Sequence, residues 1–501
     1  MHDPAPVKIR PPFLGVRALM VVAGFLLLLR LLFVFFAFPL GDEAYYWIWG
    51  QHPDISYFDH PPLNAWLLGL SSQLFGWSSF AIRFPALLTT AGSIAIFWLW
   101  SRRAEGDQDH WFWLAVVAYF ATPIIAIFSG MVFSDHLLIF LCLWSLYAFS
   151  RFFETWDANE PDWRHLFVAA IILGLAALTK YNAVFVGLAV VLHIVLAPRR
   201  YRLLARWQLY AAALVCLATL SPLIYWNAVH GFASFKFHTT DRYADVFANA
   251  SLERFGYFVL FAVIYLGPIV VIALLRMLFA RVRASSATGN GRDLGRLTFL
   301  TSSSFFGFLG ASGALPYWNI VAYAALFPHL IRWIGARVQL IIHIAFGVLA
   351  TTIFVVNYAI VPVAVLVGGN DRESAFSYGW DEIVAHVAAA EAEHEPGFLA
   401  SASYSLAAQL SIARGRDDVT SLSDRVDQYD LWFDPESHTG QSALILVSRV
   451  YGLDSGAKAA FASLTEVDRF TITRFGHELL SYVLYLGEGY GGGEAGLPVR
   501  P

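Results

Sequence analysis

Long apolar runs alternate with short charged links along this chain up to about residue 368, and beyond that point the pattern changes. Crossing a hydrocarbon core as a helix takes about 20 apolar residues. Runs of that scale cover 13–40, 81–101, 111–130, 135–153, 207–229, 255–279, 296–315, 316–334 and 338–368. Two shorter runs within 164–197 meet at Leu178-Thr179-Lys180-Tyr181-Asn182. The pattern predicts an α-helical polytopic membrane protein of about eleven spans. Lys180 at the tip of a short hairpin predicts helices that end within the membrane thickness, where non-helical backbone is tolerated only beside a protein cavity.

Residues 369–501 are charged and turn-rich. Gly397–Ala402, Val419–Leu422, Ala443–Ser448 and Phe470–Arg474 suit short strands, whereas 380–393 and 404–414 alternate at helical spacing. Two domains are therefore expected: a membrane-embedded part, 1–368, and a small extracytoplasmic α/β domain, 369–501. The run EGYGGGEAG at 488–496 is expected to be a disordered end. No internal repeat is visible, which disfavours transporter folds built from inverted repeats.

Composition agrees with a membrane chain. Charged residues are 14 % and mean hydropathy is +0.57, whereas soluble domains carry about 25 % charged residues. Cys142 and Cys216 lie within apolar runs and read as small core hydrophobes, not as a disulfide framework. The run after the polar start, residues 1–12, is too long for a signal peptide, so the first helix is expected to be retained. The net charge of −4 hides an asymmetry. Lys8, Arg10, Arg17, Arg102, Arg103, Arg151, Arg164, Arg199, Arg200, Arg202, Arg206, Arg276, Arg281, Arg283, Arg292, Arg296, Arg332 and Arg337 fall in one alternate set of loops. The other set holds only Arg83, Lys180, Lys236, Arg242 and Arg254. The positive-inside rule makes the first set cytoplasmic. The second set, the 41–80 loop and, after an odd number of spans, the C-terminus then face the periplasm or its equivalent.

The densest polar chemistry lies in 41–66, GDEAYYWIWGQHPDISYFDHPPLNAW. There Asp42, Glu43, His52, Asp54, Asp59 and His60 sit among seven aromatics with no Lys or Arg. So many ionisable groups at the mouth of a membrane helix are costly to place without a use. A solvated loop with an interfacial aromatic belt is one reading. Two details favour a built site: Asp42-Glu43 directly follows the apolar run, and His60-Pro61-Pro62 stiffens the backbone. Asp135-His136, Lys180, Lys236, His238, Arg242 and Tyr317-Trp318-Asn319 belong to the same side of the chain. A cavity with acids on one wall and cations on another fits a reaction on an anionic lipid. Taken alone, Asp135 also reads as a helix N-cap and Lys180 as a snorkelling lysine. A membrane scaffold predicts no such clustering. A transporter or flippase of polyprenyl-linked sugars predicts acids deep in the spans, yet only Arg17 and Arg30 interrupt 13–40.

The run GDEAYYWIW…YFDHPPLNAW resembles the first-loop signature of GT-C membrane glycosyltransferases related to protein O-mannosyltransferases. Within that class it is most similar to the bacterial lipid A aminoarabinose and galacturonic acid transferases. AIRFPALL at 81–88, FSDHLL at 133–138, LTKYNAV at 178–184, LPYWNIVAY at 315–323 and VDQYDLW at 426–432 extend the resemblance over nearly the whole chain. It implies a multi-pass enzyme of the bacterial cytoplasmic (inner) membrane that moves a sugar from a polyprenyl-phosphate carrier to an acceptor on the periplasmic side, lipid A or lipopolysaccharide core. A protein acceptor is the alternative within the class. Asp42 matches the acid usually assigned to catalysis and Asp135 the second acid, while Lys180 and Arg83 sit where the class places basic motifs. Aminoarabinose transferases carry Glu-Lys before the double proline; Asp59-His60 here favours the galacturonic acid type.

The chemistry is coherent from the residues up. A polyprenyl phosphate leaves as a stable anion, so the need is to stabilise growing negative charge, a task for Lys180, Arg83 or Arg242. A hydroxyl acceptor needs a base in hydrogen-bond reach, for which Asp42 or Glu43 is the candidate. Toward an ionised lipid A phosphate, Asp42 would orient the acceptor or stabilise oxocarbenium-like charge. One displacement inverts the anomeric centre. Asp59, His60, Lys236, Tyr317, Trp318 and Asn319 complete the expected substrate-binding set. Asp42, Glu43, Asp135 and His136 could supply hard ligands to a divalent ion; the metal-independent relatives are the nearer match, so no cofactor is expected.

Overall fold

The computed structural model describes residues 14–104, 106–241, 250–279, 289–369 and 371–492; the side chains of 240 and 241 are not among them. Lys8, Arg10, Arg242, Arg281, Arg283 and the end of the 488–496 run lie outside the described residues. The first helix, α1 (Val16–Phe36), is apolar apart from Arg17 and the buried Arg30, and packs Leu19, Leu26 and Phe33 against its neighbours. The 41–80 stretch, expected as an outer loop, is mostly helical. It forms α2 (Gly41–Gln51) and α3 (Leu63–Phe75), joined by a turn that carries Asp54, Asp59 and His60. Glu43 in the first turn of α2 accepts the N–H of Leu40 at 3.1 Å, where a carboxylate also meets the positive helix end. Helices α2 and α3 touch backbone to backbone. A Cβ on Gly50 would lie 2.6 Å from the nitrogen of Gly69, so neither position accepts a side chain. Next comes α4 (Ser79–Ser101), whose N-cap Ser78 accepts from Ala81 N–H at 3.1 Å.

Among the described residues, four helices suffice by length and apolarity to cross a membrane: α1, α4, Ser134–Asp157 and Arg337–Ala359. The number rises to seven if three bent pairs count as one span each. Prolines mark all three bends: Pro198 opens the second half of the pair Tyr181–Val195 and Pro198–Ala205, bent by 110°. Pro222 follows a 53° turn between Trp207–Thr219 and Ser221–Val229, and Pro268 opens the second half of a pair bent by 103°. A proline has no N–H to bond back along a helix, and its ring crowds the carbonyl four residues before it, so an apolar run that looks continuous breaks. The same cause divides 316–334, expected as one span, into the short turns Pro316–Asn319, Ile320–Ala324, Phe327–Leu330 and Ile331–Trp333, with Pro316 and Pro328 at their starts.

The C-terminal unit is a five-stranded mixed sheet with helices. Its strands are β1 (Phe398–Ser401), β2 (Val419–Ser421), β3 (Ala443–Ser448), β4 (Phe461–Arg474) and β5 (His477–Tyr490), in the order β2-β1-β3-β5-β4. The first three are parallel, and β5 pairs antiparallel with both β3 and β4. The helices expected at 380–393 and 404–414 form as Trp380–His394 and Tyr404–Arg414. Two differences stand out. The expected strand 470–474 is the end of the long hairpin strand β4, and residues 488–490, expected to be disordered, finish β5. This unit does not stand apart. Trp47, Tyr45 and Ile48 of α2 share one hydrophobic core with Trp380, Leu406, Tyr429 and Leu444.

Candidate active site

A cavity of about 820 Å³ opens where α2, the turn after it, the N-terminus of Ser134–Asp157, the Lys180 hairpin and the C-terminal unit meet. Of the residues singled out in the sequence, Asp42, Asp59, His60, Asp135, Lys180, Tyr317 and Trp318 line it, as does His238. Loops assigned to one side of the chain therefore converge on one cavity. Its other wall is apolar: Val184, Phe185, Phe305 and Phe306 line it, and Val184 and Phe305 are 62 % and 45 % exposed on the outer surface.

Asp135 and Lys180 face each other. The Lys180 ammonium donates to both carboxylate oxygens at 2.9 Å. Asp135 lies in the first turn of its helix, whose N-cap is Phe133, so it does not cap the helix by its side chain. Lys180 does not snorkel outward either; its side chain is 11 % exposed and turned to the cavity wall, 5.8 Å from the Tyr317 ring centre. Asp42 accepts from the Tyr404 hydroxyl at 3.2 Å. The Asp42 carboxylate, with burial second, holds that hydroxyl far above the usual tyrosine range. Asp42 also borders a second cavity of about 560 Å³, lined by Tyr265, Tyr358, Glu373, Phe376 and Tyr451. The two cavities share Asp42, Phe133, Tyr317 and Tyr404.

Four expected site residues sit elsewhere. Glu43 and Arg83 are both 0 % exposed and outside the lining of either cavity. Arg83 donates to both Glu43 oxygens at 3.0 and 2.7 Å and to the carbonyls of Phe33, Val34, Ala37 and Phe38. Glu43 also takes the N–H of Val132 at 3.1 Å. The pair is a clamp between the end of α1, the start of α2 and the Val132 loop, with its donors and acceptors already used. Asn319 is buried and bonds Ser302 and Ser303, and Lys236 is exposed beyond the lining. His136 is engaged by Thr89 at 2.8 Å and Asn64 at 3.1 Å. Thus all four side chains considered as metal ligands, Asp42, Glu43, Asp135 and His136, are bonded within the protein.

The sequence reading missed what the C-terminal unit brings. Arg425 lines the cavity and pairs with Asp59, which also accepts from Tyr45 at 2.8 Å. Burial is the largest influence and works against the Arg425 charge, but Asp59, Tyr404, Tyr45 and Asp427 together outweigh it, and the guanidinium is held above its usual range. Its loop is anchored by Gln428: the backbone N–H donates to the Tyr45 hydroxyl at 2.6 Å, and the side-chain oxygen takes the N–H of Phe58 at 2.7 Å. Beneath it lies Asp427, 1 % exposed, which accepts from Tyr429 N–H at 2.8 Å and Ser421 at 3.1 Å. Burial first, and Asp430 second, push the Asp427 carboxyl up to about 8.

The backbone superposes on ArnT from Cupriavidus metallidurans bound to undecaprenyl phosphate with a TM-score of 0.61, over 94 % of this chain and 98 % of that one. The chain shares the ArnT fold. Identity to that ArnT is 14 %. Residues 59–226 match the family model of dolichyl-phosphate-mannose-protein mannosyltransferases. The lipid A galacturonosyltransferase RgtD of Rhizobium johnstonii is 27 % identical over 251 residues, 49 % of this chain and 50 % of RgtD. The undecaprenyl phosphate-alpha-4-amino-4-deoxy-L-arabinose arabinosyl transferase of Yersinia pestis is 28 % identical over 185 residues, 35 % of this chain and 31 % of the relative. The chain thus spans half or less of the curated relatives it matches. The resemblance read from the motifs holds, and the ArnT fold accounts for a helical body that ends in a small sheet.

Proposed function

We propose that this chain is an integral membrane glycosyltransferase that moves a sugar from a polyprenyl-phosphate carrier onto a lipid acceptor of the lipid A or lipopolysaccharide type. One observation carries the reading: the large cavity joins a charged wall to an apolar wall that reaches the outer surface, which suits a substrate with a polar head and a long apolar tail. The names of RgtD and the arabinosyl transferase, and the lipid bound to ArnT, support it. The cavity then faces the periplasm and the charged loops the cytoplasm, in the inner membrane of a bacterium, with the bent and short helices completing about eleven spans. Asp42, bordering both cavities, is the residue that meets both substrates. It takes the proton of an acceptor hydroxyl, or orients an ionised acceptor, while the anomeric carbon–oxygen bond to the carrier breaks and the phosphate leaves with the electron pair. A single displacement inverts the sugar. Lys180 has three donors, of which Asp135 uses two, so the pair holds a charged ammonium ready for the departing phosphate. His60, His238, Tyr317 and Trp318 shape the space around the sugar.

Mass spectrometry of envelope lipids from a strain without this gene tests the reading. A sugar mass lost from lipid A or core is expected. The family match favours a second reading, a protein acceptor. Intact lipids with a sugar lost from envelope proteins would move the acceptor to that class, and no change in either would end the transferase reading.

A further inference from the structure

Among the described residues, Arg425 is the one cavity residue whose charge comes from the C-terminal unit and whose bonding capacity is not used up. Only its Nη2 reaches Asp59; among the described residues Nε and Nη1 have no hydrogen-bond partner. The side chain is 41 % exposed and lines the cavity, with its guanidinium carbon 4.6 Å from the Tyr404 ring centre and 5.6 Å from that of Phe237. Its backbone is fixed on both sides, since its carbonyl accepts from Ser423 at 3.0 Å and the loop beyond is pinned by Gln428. Balancing Asp59 needs one arm of the fork. A planar arginine beside two rings, lining a cavity with two further donors unbonded, has the chemistry that takes an oxyanion in two parallel bonds. We propose that Arg425 is a binding residue for an oxyanion of the lipid-linked donor, either the carrier phosphate or a carboxylate on the sugar. The assignment rests on the donor reading above. It makes the C-terminal unit part of the binding site, and Asp59 the partner that holds the fork in position until the substrate arrives.

Direct binding to purified full-length protein in nanodiscs is the test, with undecaprenyl phosphate as the probe and Arg425→Gln, Arg425→Lys and the double variant Asp59→Asn/Arg425→Gln beside wild type. A charge-assisted pair is worth about a ten-fold or greater loss of affinity. If the phosphate is the oxyanion, Arg425→Gln loses that much, Arg425→Lys keeps part, and the double variant does not recover it. If the carboxylate is the oxyanion, binding of undecaprenyl phosphate holds, but the preference for a carrier bearing a uronic sugar over one bearing a neutral hexose disappears. The double variant also guards against misfolding, because it leaves no unpaired carboxylate. Recovery of affinity in it would reduce Arg425 to the counter-charge of Asp59 and overturn the proposal. So would unchanged binding and preference in Arg425→Gln. A wild type that binds neither carrier would remove the donor reading and this assignment together.

Discussion

Asp42 and Glu43 are neighbours in sequence with opposite surroundings, and the difference predicts opposite phenotypes. Asp42 borders two cavities and accepts from Tyr404. Asp42→Asn keeps the shape and loses the basicity, so turnover should fall by about 10²–10⁴-fold with donor affinity and folded yield nearly unchanged. Near wild-type turnover at saturating substrates would pass the role to another carboxylate. Glu43 is bound on all sides by Arg83 and two backbone N–H groups. Arg83→Ala leaves its carboxylate buried without its counter-charge, a change that costs about 3–5 kcal/mol. The loss should appear as a lower melting temperature and poor recovery in detergent. A well-folded Arg83→Ala protein with weakened donor binding would instead restore Arg83 to phosphate binding. The sequence could not separate the two acids, because both stand at the mouth of the same apolar run. Their helix turns one inward to α1 and the other to the cavity, and only three-dimensional neighbours reveal which.

The loop 423–432 is the element on which the site's completeness depends, and it carries a titration signature. Asp427 should titrate at about 8 in the folded protein and at about 3.9 when unfolded. A folded value above the unfolded one means that folding favours the protonated form. Below about pH 4 both states hold the proton and nothing is lost; between about 4 and 8 stability falls as the unfolded state ionises, and above 8 the penalty is constant. Arg425, Asp430 and Asp59 face this group and shape the curve. Asp427→Asn removes the penalty, so its melting temperature relative to wild type should rise progressively from pH 4 to 8. A difference that stays level across that range would mean Asp427 is ionised in the fold. Other elements divide by what signals them. The helices at 380 and 404 and strands β1–β3 were legible because period and turn residues agree locally. The turn structure of 316–333 was not read, although Pro316 and Pro328 announce it. Helices α2 and α3 escaped because aromatics on every face of α2 blur the period. Arg425 was out of reach altogether: its partner lies 366 residues away, and no local pattern records that distance.

At the scale of the whole chain, the arginine asymmetry predicts sidedness. A reporter active only outside the cytoplasm should be active when fused after residue 369 and silent when fused at 203; the opposite result would turn the cavity to the cytoplasm and remove it from the proposed reaction. The structure gives this arrangement a dimension in time. Tyr45 holds Gln428 across 383 residues, and the rings around Tyr45 share their core with the C-terminal unit. A ribosome adds about 5–20 residues per second, so the aromatic face of α2 waits on the order of 20 to 80 s for its partner to be made. During that interval the membrane helices can assemble, but the cavity has no Arg425 and no Tyr404 at Asp42. Premature termination anywhere before the sheet should therefore leave a chain that inserts normally but lacks the proposed activity, which makes synthesis of residues 398–425 the moment at which that activity is switched on.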